Sequence, residues 1–235
     1  MNAMAEMEFV DRASSPAALV SYLYGLLGEC FGYPDADLVE SIRSGALRQQ
    51  LQNLCFALDK GLCLGLDLSP LHDAEATEDA LAVEYTRLFD AGAHGTGCSL
   101  NGGLQQGPQM KVMEEAVRFY NHFGLTLTED NKELPDHITT ELNFLHFLAY
   151  GEHQLTARGE SAAACQLAQR DFIARHPGRW IPLMAAKLEP MQPDPLFMVL
   201  TQLLERLLNR ELARLEALHG AASLKPSGDL PFGGI

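Results

Sequence analysis

Basic side chains are in short supply: 17 Lys and Arg stand against 31 Asp and Glu, a formal net charge of −14. That deficit argues against the phosphate backbone of nucleic acid, or an anionic membrane surface, as a partner. A basic or apolar partner suits it better, although solubility alone also accounts for the charge. Cysteine is sparse too. The five present (Cys30, Cys55, Cys63, Cys98, Cys165) are odd in number and scattered, without a C-x-x-C pair. Neither a disulfide framework nor a zinc knuckle follows, and reduced core thiols are expected. Long apolar runs are missing: no stretch could cross a bilayer, and MNAMAEMEFVDRASSP at the start carries acidic residues and no apolar h-region. The expectation is a cytoplasmic protein with no stable membrane association and no nucleic-acid partner.

Sustained period-two alternation and repeats of fixed length are absent as well, so the chain of 235 residues reads as all-α and non-solenoid. At 47% hydrophobic it can bury one substantial core. Ser15-Pro16 reads as an N-cap with proline at the first helical position, opening a helix with Leu19, Leu23, Leu26 and Leu27 inward. Helices are predicted near 35–44 and 46–60, with a loop from Gly61 to Pro70. Asp73 is the expected N-cap of a helix that runs through Phe89 and closes at Gly92. The stretch AGAHGTGCSLNGGLQQGP, residues 91–108, holds six glycines and reads as a long flexible loop. Pro108 then opens a helix with a Met113, Val117 and Tyr120 stripe, ended by Gly124. Pro135 opens another with Ile138, Leu142, Leu145 and Leu148 inward. Helices at 161–175 and 179–189 precede a last one from Asp194-Pro195, carrying Leu200, Leu203, Leu207 and Leu215 and stopping at Gly220. The domain is thus placed at 16–219, between a flexible N-terminus (1–15) and a loose tail (220–235).

Catalytic signatures are equally scarce. Gly95-Thr96-Gly97 lacks the third glycine of a dinucleotide loop, Leu100 standing in its place, and no P-loop lysine follows. A di-iron bundle needs two Glu-x-x-His pairs, and Glu216 to His219 supplies one. His137 and Glu141, four apart on one helix face, could share a metal, but a hydrogen-bonded pair is the commoner meaning. No G-x-S-x-G elbow appears. No catalytic residue, metal or cofactor is assigned. Two clusters remain. In Glu84-Tyr85-Thr86-Arg87-Leu88-Phe89 the apolar residues share a face and Glu84 can pair with Arg87 at its edge. In Glu133-Leu134-Pro135-Asp136-His137, Pro135 suits a first turn and Asp136 the positive end of the helix dipole.

Taken in order, EYTRLF (84–89), MEEAVRFYNHFGL (113–125), ELPDH (133–137), TTELNFLHFL (139–148) and QRDFIARHPGRWIP (169–182) resemble the TorD/DmsD/NarJ family of redox-enzyme maturation chaperones. The later segments are most similar to chaperones of type II dimethyl sulfoxide reductase family enzymes. One departure is CSLNGGLQQG, where the family loop often holds Pro and Tyr. The resemblance implies a single-domain helical bundle of the TorD-like type that is not an enzyme and has no cofactor of its own. It would hold the catalytic molybdopterin subunit and its twin-arginine leader until cofactor insertion, as a monomer or homodimer. The implied client and leader contacts are Glu84, Tyr85, Arg87, Leu88, Phe89, Glu133, Pro135, Asp136, His137 and Glu141. The leader's apolar stretch would lie near Tyr85, Leu88 and Phe89, with Glu84, Asp136 and Glu141 meeting its arginines and His137 orienting Asp136 or bonding the leader backbone. Two other classes stay open: a metal-assisted enzyme using His137 and Glu141, and a permanent accessory subunit of a respiratory complex.

Overall fold

The structure, a computed structural model, describes residues 15–92, 95–127 and 133–223. The N-terminus to residue 14 and the tail from 224, both expected to be loose, lie outside the described residues. So do 93–94 of the expected loop. The described chain runs α1 (Pro16–Cys30), α2 (Ala36–Arg43), α3 (Ala46–Leu58) and α4 (Glu78–Phe89). A hairpin of β1 (Ala91–Gly92) and β2 (Gly95–Thr96) follows, and then α5 (Gly102–Gln106), α6 (Gln109–His122) and α7 (Ile138–Ala157). The last three helices are α8 (Ala163–Arg175), α9 (Pro177–Leu188) and α10 (Pro195–His219). Apart from the hairpin, the regular structure of the described residues is helical, as the sequence predicts.

The core forms where the apolar stripes meet. On α1, the Ser15 hydroxyl accepts from the Ala18 amide at 3.2 Å and Pro16 needs no amide partner, so the helix starts cleanly. Leu19, Leu23 and Leu27 are then buried against α7, where Leu142, Leu145 and Leu148 are also fully buried. The 25-residue α10 opens with the Asp194 side chain accepting from Leu196. It buries Leu196, Leu200, Leu203, Leu207 and Leu215 while packing on α8 and α9. All five cysteines are free and buried. No helix among the described residues is long and apolar enough to cross a membrane.

Four local expectations change. Helix α4 starts at Glu78, because the Thr77 hydroxyl accepts from Ala80, while Asp73 caps its own turn at the Glu75 amide. It ends at Asp90, and Gly92 pairs with Gly95 in the hairpin instead. The 61–70 segment includes turns of 3-10 helix at Lys60–Cys63 and Ser69–Leu71 that bury Leu62 and Leu71. On α6 the buried face is Ala116, Phe119 and Tyr120, with Met113 and Val117 only half-buried. The aromatic rings explain this rotation: Phe119 packs edge-on against Phe172 at 5.2 Å and Tyr120 against Phe144 at 4.8 Å.

Candidate functional site

The expected loop is built into the core from Cys98 onward. Cys98, Ser99, Leu100, Gly102 and Gly103 are buried, and α5 packs on α6 and α9. Its backbone is stitched to the ELPDH segment: Gly102 donates to the Asp136 carbonyl at 2.8 Å, and Ile138 donates to the Leu100 carbonyl at 2.9 Å. The glycines are there for close approach. A Cβ on Gly102 would sit 2.7 Å from the Trp180 indole nitrogen, and one on Gly103 would sit 2.6 Å from the Gln109 Cα.

Asp136 is wholly buried. Its carboxylate accepts from the Gly103 amide at 2.9 Å and from the Asn101 side-chain amide at 3.2 Å. Pro135 lies outside α7, its carbonyl taking the Tyr120 hydroxyl at 2.7 Å. The N-cap of α7 is His137, whose Nδ1 pairs with the Thr139 hydroxyl at 2.8 Å. Its Nε2 lies 3.6 Å from the Glu133 carboxylate, which is exposed. Asp136 is therefore oriented by Asn101 and Gly103, not by His137. Burial lowers the His137 pKa, opposed by Glu133 and Asp136.

Glu141 points elsewhere. It is fully buried, and Trp180 Nε1 donates to its Oε2 at 2.8 Å. Oε1 faces His176 Nδ1 at 3.7 Å, and the His176 ring stacks on Phe172. Burial raises the Glu141 pKa well above the ordinary carboxylate range despite the Trp180 bond, and nearby Asp136 adds to the rise. Burial, with Arg175 and Arg179 nearby, lowers His176 to about 3. Both shifts favour the uncharged forms of the pair. His137 and Glu141 thus serve different partners, and among the described residues no group of three or more His, Cys, Asp or Glu could hold a metal ion.

The EYTRLF cluster forms a clamp. Arg87 meets Glu84 through two hydrogen bonds of 2.7 Å and also donates to the Met191 and Gln192 carbonyls. Glu84 accepts from the Asp194 amide at 2.8 Å, so the expected ion pair ties α4 to the turn between α9 and α10. Arg87 holds the Glu84 pKa below its ordinary value. Leu88 and Phe89 lie inside the core. Tyr85 is half-buried, donates to the Phe31 carbonyl at 3.2 Å, and has its ring edge-on to Tyr33 and Phe89. Burial first, then Glu133 and Asp90, raises the Tyr85 hydroxyl, which places the ELPDH segment within electrostatic range of this cluster.

What periodicity missed is the outer side of α6. An open groove of about 460 Å³ is lined by Met110, Met113, Glu114, Val117, Arg118 and Pro135. Met110 is 66% exposed there. Its signal in the sequence is methionine at 110 and 113 with valine at 117, an i, i+3, i+7 spacing; Met113 and Val117 are expected, with Tyr120, to form an inward stripe. A smaller cleft of about 260 Å³ lies beyond Tyr120, between Leu125, Leu127, Phe144 and Phe147.

Comparison with known proteins places this geometry. Residues 44–186 match the family model described as nitrate reductase delta subunit. The chain is 32% identical over 177 residues to the chlorate reductase assembly chaperone protein of Ideonella dechloratans, covering 74% of this chain and 79% of that one. It is 36% identical over 134 residues to the selenate reductase assembly chaperone protein of Thauera selenatis, covering 56% and 69%. Against the perchlorate reductase assembly chaperone protein of Dechloromonas aromatica the identity is 28% over 216 residues, covering 90% and 96%.

Proposed function

Because this chain belongs to the nitrate reductase delta subunit family, the TorD/NarJ group of molybdoenzyme assembly chaperones, we propose that it binds the immature catalytic subunit of a type II dimethyl sulfoxide reductase family enzyme through that subunit's twin-arginine leader. It is an assembly chaperone, not an enzyme. It acts in the cytoplasm, as a monomer or homodimer without a cofactor of its own, and holds the client until the molybdopterin cofactor is inserted and export can follow.

The observation that carries this reading is the methionine-lined groove on α6, bordered by Glu114 and continuous with Pro135 of the ELPDH motif. The leader's apolar stretch lies on Met110, Met113 and Val117, whose unbranched, polarizable thioethers adapt to irregular surfaces. Its two arginines meet Glu114 and the exposed Glu133, which His137 steadies from the protein side. Arg118 on the same rim repels a leader entered in the opposite direction. Asp136 and Glu141 support the site from within rather than meeting the arginines, since each side chain is wholly buried and accepts from a protein donor. Glu84 and Arg87 hold the neighbouring turn in the same way.

Exposed ion pairs contribute about 0–1 kcal/mol each, so apolar burial supplies most of the affinity and the charges set direction. The test is titration calorimetry of the full chain with a synthetic peptide carrying two consecutive arginines ahead of a leucine-rich stretch, beside the same peptide with both arginines replaced by alanine. Met113→Glu is expected to weaken binding at least tenfold without altering the fold. A folded Met113→Glu chain that binds as tightly as the parent would remove the groove from the mechanism.

A further inference from the structure

Two of the free thiols face each other. Helix α3 breaks at Asp59, whose backbone is extended, and the turn of 3-10 helix at Lys60–Cys63 folds back to pack on α3. That return brings Cys63 to Cys55, and the two side chains hydrogen-bond across the loop 56–62. The turn is also held from α10. Arg206 Nη1 donates to the Leu62 carbonyl at 3.1 Å and the Leu64 carbonyl at 2.7 Å, the residues on either side of Cys63. Arg210 Nε reaches the Asp59 carboxylate at 3.4 Å, and that carboxylate caps the Gly61 amide at 2.8 Å. A guanidinium therefore stands beside Cys63. Cys55 is wholly buried behind it, whereas Cys63 keeps 9% of its surface open to a small reagent.

The two sulfurs are unequal. The bond from Cys55 first, and Arg206 after it, lower the Cys63 pKa against opposing burial, while the same bond and burial raise that of Cys55. Cys55 S–H is the donor, and the Cys63 sulfur is the acceptor that carries negative charge. Burial raises the other three thiols, Cys98 to about 11 and Cys30 and Cys165 likewise upward.

We propose that Cys63 and Cys55 form a dithiol that responds to hydroperoxides, with Cys63 as the reacting sulfur and Cys55 as the resolving one. The Cys63 thiolate attacks one peroxide oxygen, forming an S–O bond as the O–O bond breaks. Sulfur is oxidised to a sulfenic acid, and the leaving oxygen takes a proton from water to depart as an alcohol, or as water when the oxidant is hydrogen peroxide. The Cys55 sulfur then bonds to the Cys63 sulfur, and its proton leaves with the sulfenic hydroxyl as water. Two thiols and one hydroperoxide thus give a disulfide, an alcohol and water. Exchange with a small thiol reverses the change. No residue lining the α6 groove belongs to α3, this turn or α10, so the site stands whether or not the leader binds that groove.

The test treats the reduced full chain with hydrogen peroxide and follows every cysteine by peptide mass spectrometry. The peptides holding Cys55 and Cys63 should become linked with loss of two hydrogens, while Cys30, Cys98 and Cys165 stay open to alkylation after unfolding. Before oxidation, iodoacetamide near neutral pH should modify Cys63 at least about tenfold faster than any of those three. The Cys55→Ser chain keeps a hydroxyl that can donate to Cys63, and should accumulate a Cys63 sulfenic acid that dimedone traps. Cys63→Ser should give neither the adduct nor the link. Oxidation spread evenly over all the cysteines, first reaction at Cys55, or a parent chain whose Cys63 is oxidised without ever linking to Cys55 overturns the proposal.

Discussion

Two regions meet at Pro135 and treat their side chains in opposite ways. Behind it, Asp136 and Glu141 are fully buried, with Gly102 and Gly103 providing the close approach that their surroundings require. In front of it, Met110 stands largely in solvent and Met113 and Val117 are half-covered. Carboxyl groups are hidden on one side and apolar surface is exposed on the other, the reverse of what transfer energies favour. The hidden carboxyl groups are tolerable because Asn101 and the Gly103 amide bond Asp136, and Trp180 bonds a Glu141 whose burial favours its protonated form. Exposed Met110 and half-covered Met113 and Val117 have no such compensation within the described bundle.

That contrast can be broken most forcefully at Gly103. Its added methyl group in Gly103→Ala would meet the Gln109 backbone, so a loss of about 3 kcal/mol and a Tm lower by about 6–12 °C are expected in thermal unfolding. An unchanged Tm would mean that the joint is looser than its distances imply. On the other side, Met110→Glu, at a largely exposed position, should leave Tm within about 1 °C while weakening leader binding at least tenfold. If both substitutions altered Tm equally, the distinction between frame and contact surface would fail.

A finer test is pH. The Glu141 pKa is raised in the folded state, chiefly by burial, so the folded chain keeps a proton that the unfolded chain has released. Stability from this group is full below the ordinary glutamate value of about 4.3 and falls as pH rises toward the folded value. Glu141→Gln can still accept from Trp180 but has no proton to lose. Its stability relative to the parent should therefore increase with pH from about 4.3 upward, measured by denaturant titration across pH. His176, lowered to about 3, contributes the opposite slope as pH falls below its ordinary value, so the comparison is read above that value, from about pH 6.5 upward. A constant difference across pH would show that Glu141 is charged in the folded state.

The smallest effect belongs to the rim. Glu133→Gln should weaken peptide binding about two- to fivefold at low salt, and hardly at all in 1 M salt, where charges are screened within about 3 Å. Equal loss at both salt concentrations would assign Glu133 a packing role instead.

Much of this was legible in the chain. Ser15-Pro16 and Asp194-Pro195 open α1 and α10 as expected, and the inward leucines of α7 and α10 are buried as their spacing predicts. The Glu84 and Arg87 pair was also foreseen, because residues three apart on a helix are neighbours. The site was less legible. ELPDH reads as a helix start with an exposed aspartate, yet Asp136 is buried by Gly103, 33 residues earlier, and Glu141 is held by Trp180, 39 residues later. The glycine-rich stretch suggests freedom, whereas Gly102 and Gly103 serve close packing.

The sequence by itself determined the helices, their caps and the acidic surface, because hydrogen bonds from i to i−4, side-chain caps and formal charge are properties of neighbouring residues and composition. Tertiary structure alone decided which carboxylates are buried and which side of α6 stays open. Those outcomes depend on groups far apart in the chain. The fit of Phe119 and Tyr120 among Phe144 and Phe172 turns Met113 and Val117 outward, and no periodicity within α6 contains that information.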